Sequence, residues 1–591
     1  MKPVRVGGYA PIEQYAAIGD GRSVALVAAD GSIDWWPVGR MDETPTFSGL
    51  LDAQRGGVLT LCPTAAHTVS RSYLTDTNIL ETIFTTASGV VRVRDTLPVG
   101  HGGRLSWGQL VRQVDGIDGA VPMRWSVVPG NRFATGQPWV RRQGEAVLVS
   151  CGPDLLAVQA WDCGEPTVTD RSIDGTFTTA AGSSGVLAVS GGADQPAVIP
   201  TLDQCRDLVE LTAQRWRDWS RQIRYDGPWK DAVRRSALAL KLLIYSGTGA
   251  IAAAPTTSLP ERIGGDKNWD YRYMWVRDTS FTIDALLTLG LQDEAHAAVQ
   301  WMLGALRRTS PDLRVCYTLE GLDPPSDHAV DFDGYRGSRP VRSGNRAAGQ
   351  TQLGTFGDLF DMIWQYVEDG HRLDAASARL LADLADRCCD TWMLQDAGIW
   401  ELPDSQHYTV AKIGCWTALD RALQLVDAGQ LESARAPRWA SERERIKSWI
   451  HENCWSATKR SFTAYAGTED LDAATLLAAR TGFDVGERLA GTIAAIQDEL
   501  ALGPMVYRYS GAADEEGAFL ACTYWLVIAM VLNGQRDAAR KLMDDSVALT
   551  NDVGLLAEEI DPDSGAMLGN FPQGLSHLAL INAACAYTYS D

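Results

Sequence analysis

"LDQCRDLVELTAQRWRDWSRQI", Leu202 to Ile223, divides the chain into two kinds of sequence. Its apolar residues recur at helical spacing among charges, which predicts an amphipathic helix serving as a linker. Upstream, runs such as "VALVAADGSIDWWPV", "RGGVLTLCP" and "ETIFTTASGVVRVRDTLPV" are rich in Val, Thr and Leu and are broken by Asp-Gly, Ser-Gly and Gly-Gly turns. That is the pattern of an antiparallel β-sandwich. Downstream, apolar helical runs lie near 229–246, 278–290, 293–308, 353–369, 373–390, 411–427, 439–453, 471–480, 484–499, 516–533, 536–549 and 574–588. Twelve helices with alternating short and long connections predict six hairpins closed into a ring, an all-α (α/α) six-hairpin barrel. An open solenoid is the alternative, and the fixed-period self-similarity of stacked repeats is missing. The expected organisation is therefore a β-sandwich over 1–202, a linker helix over 203–226 and the barrel over 227–591.

Composition bounds the partners. The 591 residues exceed the ~250 to 300 at which one core stops growing, consistent with two domains. A net charge of −21 excludes nucleic acid and anionic membrane surfaces, which would repel the chain. The opening "MKPVRVGGYAPIEQ" has no apolar leader core, and no stretch approaches the ~18 apolar residues of a membrane span, so a cytoplasmic location is expected. Eleven cysteines, an odd total with Cys388 and Cys389 adjacent, point to reduced thiols. A neutral small molecule remains as the partner, and self-association into a homo-oligomer is left open.

The common motifs are missing: no Gly-x-Ser-x-Gly elbow, zinc-protease helix or phosphate loop occurs. "GTGAIA" at 247–252 follows a helical run and reads as a turn, "DPDSG" at 561–565 lacks the closing acid of a calcium loop, and the eight histidines have no ligand spacing. Neither metal nor cofactor is expected. What remains is carboxylates in aromatic loops. Glu401 follows Trp400, where apolar walls would keep a carboxyl protonated as a general acid. Glu558 and Glu559 end one apolar run just before another helix, the position of a general base. The plainer alternative is that Glu401 pairs locally and the other two are solvated. "GGDKNWDYRYMWVRD", 264–278, interleaves four aromatic residues with charges instead of segregating them, as a packing helix would. Rings stack on sugar faces and Arg or Asp bind hydroxyls, so the combination points to carbohydrate.

Four motifs, "NWDYRYMWVRD", "GIWE" with "HYT", "EEGAFLACTYW" and "EEIDP" with "GNFPQGLSHLALINAA", resemble glycoside hydrolase family 15, the glucoamylase, glucodextranase and bacterial trehalase group. The opening "YAPIEQYAAIGDGRSVALVAADGSIDWWPVGRMD" resembles the N-terminal domain of its two-domain bacterial members. The resemblance implies a sandwich before an (α/α) six-hairpin barrel and exo-acting, inverting hydrolysis of a terminal α-glucoside. It implies Glu401 as general acid, Glu558 as base with Glu559 as its possible confusion, and Tyr271 beside the attacking water. It further implies Arg277, Asp278 and Arg508 as glucose contacts, Trp269 and Trp400 as walls, and Arg339, with Arg342 and Asn345, as further contacts or loop braces. An inverting pair requires carboxyls about 6.5 to 9.5 Å apart. The acid loop departs from the trehalase pattern, with Pro403 where arginine is expected, and Gly349 and Gly354 stand where acidic residues are expected. Trehalose is the first expected substrate. The alternatives are a glucoamylase or α-1,6-glucosidase, a phosphorylase, in which phosphate would replace the base, and a non-catalytic sugar-binding protein. Trp35 and Trp36 mark where the sandwich could reach the pocket, unless they are simply core.

Overall fold

The computed structural model describes residues 1–99, 107–144 and 146–590. Two antiparallel sheets build the N-terminal part. The first runs Tyr15–Gly19, Val24–Ala28, Ser32–Trp35, Gly57–Pro63, Pro122–Pro129, Ile173–Thr178, Thr167–Val168 in spatial order. The second runs Trp139–Gln143, Ala146–Cys151, Asp154–Trp161, Ser184–Ala193, Gly108–Gly119, Gly89–Thr96, Leu80–Thr86, His67–Tyr73. In Pro122–Pro129 the buried residues are Met123, Trp125, Val127 and Pro129, every second position, so the β period of two turns one side chain in and the next out. The two sheets face each other as a sandwich.

The stretch that opened the sequence folds as α1 (Leu202–Ser220), started by a capping box between Thr201 and Gln204. Its Cys205 and Val209 cover Val111, Val186 and Ala188 of the second sheet. Twelve further helices follow: α2 (Lys230–Leu243), α3 (Val276–Thr288), α4 (Gln292–Thr309), α5 (Thr355–Glu368), α6 (Ala375–Thr391), α7 (Thr409–Asp427), α8 (Ala436–Asn453), α9 (Ala478–Thr481), α10 (Glu487–Glu499), α11 (Leu520–Leu532), α12 (Arg536–Val547) and α13 (Gly574–Tyr589). Alternate helices form two layers. The inner ring is α3, α5, α7, α9 with the 3-10 turn before it, α11 and α13, and α13 packs on both α11 and α3, which closes the barrel. Burial follows the layers. Residues 520–531 of α11 and 574–585 of α13 are buried on every side, whereas outer α12 buries only Ala539, Met543 and Ser546, one stripe at helical spacing.

Each of the twelve expected runs contains a helix, with two differences. The run near 471–480 is a 3-10 turn, Ala473–Leu477, plus one α turn, stopped by Gly482 at φ +76°. The run near 516–533 becomes helical only at Leu520, because Ala518–Phe519 pairs as a strand with Glu559–Ile560. Trp35 and Trp36 are fully buried. Trp36 stacks on Phe47, while Trp35 donates its indole N–H to the Pro255 carbonyl at 2.9 Å and so ties the sandwich to the barrel.

Candidate active site

A cavity of about 710 Å³ opens where the loops enter the inner helices, and among the described residues its wall is drawn entirely from Ala253 to Leu575. No described residue of the sandwich lines it. The sandwich acts one layer back: Glu43 offers its carbonyl to Arg272 at 2.8 Å, and Arg272 clamps Asp270 bidentately at 2.8 and 2.6 Å. That clamp fixes the backbone of the aromatic segment, so that Trp269 and Tyr271 turn into the cavity while Asp270 and Arg272 are buried behind it. The interleaving of rings and charges in the sequence is this alternation.

Trp400, Glu401, Leu402 and Pro403 form one wall. Glu401 has φ +59°, the left-handed region that side chains rarely adopt, which costs about 1–3 kcal/mol. The loop compensates: Gln350 donates to the Glu401 carbonyl at 3.1 Å, and the Leu402 N–H reaches the Ala397 carbonyl at 3.0 Å. The carboxyl accepts the Trp275 indole N–H at 2.7 Å. Burial pushes its pKa up against the pull of Arg277, which suits a proton donor. Trp400 packs against Phe519 and Trp525 at ring distances of 5.3 and 5.8 Å and donates its N–H to Asp472 at 2.9 Å. Burial pushes Asp472 up to about 6.

Glu558 lines the same cavity at 2% exposure. It accepts bonds from the Tyr271 hydroxyl and the Asn570 N–H, while burial and then the neighbouring Glu261 push its pKa up to about 8 against Arg508. Glu559 is not in the wall. Successive residues of extended backbone point to opposite faces, so Glu559, in the strand Glu559–Ile560, is fully buried behind Glu558 and accepts the Gly517 N–H at 2.9 Å. Of the two adjacent glutamates, only Glu558 can meet a ligand in this cavity.

Arg277 and Asp278 sit in the first turn of α3 and face the cavity, joined at 2.9 Å, and Arg277 also holds the Ile399 carbonyl at 2.7 Å. The Trp269 ring carries the guanidiniums of Arg346 at 4.3 Å and Arg342 at 5.0 Å. Arg339 departs from expectation: it is outside the wall, pairs with Asp333 and has 59% of its side chain exposed. Asn345 braces the loop by donating to the Asp270 carbonyl at 3.0 Å. Sequence reasoning missed Glu261, Lys267 and Arg346 in the wall; a lone Glu261 after Pro260, just ahead of the aromatic segment, was the one available signal.

Arg508 reaches the cavity from within a group of acids. It bonds Glu516 through Nε and Nη2, Glu261 at 2.7 Å, and approaches Glu559 at 3.8 Å. Glu261, Glu516 and Glu559 each offer an oxygen within 4.8 Å of the others, a spacing that would suit a divalent cation. The guanidinium already lies among them and supplies the positive charge.

Against known proteins, the model of glycosyl hydrolases family 15 matches residues 227–585, and that of trehalase-like N-terminal domains matches residues 6–174. The chain belongs to glycosyl hydrolase family 15 and is a glycoside hydrolase. Among its curated relatives are a trehalase of Thermoplasma volcanium, 31% identical over 98% of this chain and 94% of its own, and one of Mycolicibacterium smegmatis, 33% identical over 97% and 91%. A bacterial glucoamylase solved with acarbose shares the fold, with a TM-score of 0.73 over 99% of this chain and 96% of its own at 12% identity. No helix among the described residues is long and apolar enough to cross a membrane.

Proposed function

We propose that the protein hydrolyses trehalose with inversion, releasing β-glucose from its terminal α-glucoside. The observation that carries this reading is that Glu401 and Glu558, both raised by burial and the second also bonded to Tyr271, open into one cavity in a chain whose full-length relatives are trehalases.

In this reading Arg277 and Asp278 hold hydroxyls of the terminal glucose, Trp400 and Trp269 supply apolar walls, and Arg508 contributes positive charge. Glu401 protonates the leaving oxygen. Glu558 takes a proton from water on the other face of the anomeric carbon, and Tyr271 orients that water and favours the ionised base. Arg339 and Glu559 are left out, because neither reaches the cavity. The protein works in the cytoplasm on a small sugar, with residues 1–202 as its supporting sandwich and 227–591 as its catalytic barrel.

The test is proton NMR during turnover of trehalose, isomaltose and maltose in parallel. β-Glucose as first product from trehalose is the expected result; α-glucose first would overturn the mechanism. Turnover of isomaltose or maltose in place of trehalose would establish the second reading, an α-1,6- or α-1,4-glucosidase. One observation favours that reading: Pro403, not an arginine, stands in the wall beside Glu401, where the leaving sugar would sit.

A further inference from the structure

Four carboxyls are buried together: Glu261 at 1%, Glu516 at 6%, Glu558 at 2% and Glu559 at 0% exposure. Two cations face them, Arg508 and Lys267, and Glu516 bonds both, Lys267 at 2.6 Å. Glu261 bonds Arg508 at 2.7 Å and feels Lys267 only through space, and Glu559 lies 3.8 Å from Arg508. One oxygen each of Glu261 and Glu559 is buried with no hydrogen-bond partner, and the two carboxyls approach within 4.8 Å. An unpaired buried charge is costly, and two carboxylates in one site are relieved when one holds a proton. One proton on the pair would leave it a single negative charge, matched by Arg508.

From this geometry we propose that Glu261 and Glu559 share one proton at neutral pH, and that this pair, resting on Arg508, is a positioning device whose one remaining negative charge sets the pH at which the neighbouring Glu558 ionises as base. The proposal rests on Glu558 being the base. Glu558 meets Glu261, Arg508 and Tyr271, and both Glu261 and Glu559 are pushed up by burial first. The wild-type pair carries one negative charge. Replacing either glutamate by glutamine leaves the other ionised, so that charge is unchanged; replacing both removes it.

Two measurements test this on the full chain. Infrared difference spectra of Glu401→Gln/Glu558→Gln at neutral pH contain a protonated-carboxyl band, and adding Glu261→Gln or Glu559→Gln removes the same component. A missing component, or one that survives either substitution, overturns the shared proton whether or not trehalose is the substrate. In the otherwise wild-type enzyme, the acid limb of kcat/KM holds its position in each single variant. In Glu261→Gln/Glu559→Gln it moves to lower pH by about one unit or more, as loss of a charge at this range implies. A limb that shifts in the Glu261→Gln variant alone, or that stays fixed in the double variant while only the rate falls, overturns the positioning role.

Discussion

Tyr271 donates to Glu558 and favours its charged form, a bond to an ionised group worth about 1.5–3 kcal/mol. Tyr271→Phe should therefore move the acid limb of kcat/KM to higher pH and lower kcat by about 10- to 100-fold, read from a pH series on trehalose. Glu401→Gln should reduce kcat by about 10²- to 10⁴-fold, the range of a lost general acid, with substrate affinity measured by calorimetry nearly unchanged. Glu401 and Glu558 were legible in the sequence because each sits in a loop whose neighbours carry the family's pattern. Trp269, Tyr271, Arg277, Asp278, Trp400 and Arg508 line the cavity as their motifs implied, whereas Glu261, Lys267 and Arg346 were not legible, because they join the others only through the fold. Glu261 and Arg508 lie 247 residues apart, and Trp400 and Asp472 lie 72 apart, so no local spacing announces either pair. Arg339 shows the converse: its loop resembles the family's, and of the two roles that left open, sugar contact or loop brace, its pairing with Asp333 fits the brace.

The inner helices cross closely where glycine allows it. A Cβ on Gly414 of α7 would stand 2.7 Å from the Gly354 Cα, and one on Gly357 of α5 would stand 2.5 Å from the Gly414 carbonyl oxygen. Both obstacles are backbone and cannot swing aside. Gly414→Ala should thus destabilise the barrel by about 1–3 kcal/mol, seen as a lowered Tm. Helix positions were readable throughout, outer α12 by its apolar stripe and inner α11 and α13 as long apolar runs buried on every side. Their ends were less so. Ala518–Phe519 has ordinary helical composition, and only its pairing with a strand some forty residues later makes it extended, a tertiary decision the local sequence cannot announce.

Across the whole molecule, buried acids and a buried histidine set opposing pH dependences. Burial raises Glu558 to about 8, Asp358 to about 7 and Asp396 to about 6. Groups raised in the folded state bind more protons than in the unfolded chain, so the stability they give is present below about 4 and is lost as pH climbs through those values. His577, buried between Ser236 and the Leu556 N–H, is lowered to about 3; its share is present above about 6.5 and is lost as pH falls. Three acids outweigh one histidine until the unfolded carboxyls are protonated too, so Tm should rise as pH is lowered from 8 to about 4 and fall only below about 3.5, a profile that scanning calorimetry would record. The ring closure has a different bearing, on biosynthesis. α13 is the last of the thirteen helices to leave the ribosome, and both its neighbours, α3 and α11, must wait for it before their inward faces are covered. The sandwich needs nothing that comes later to pair its strands, so it can stand complete while the half-made barrel leans on it through Trp35.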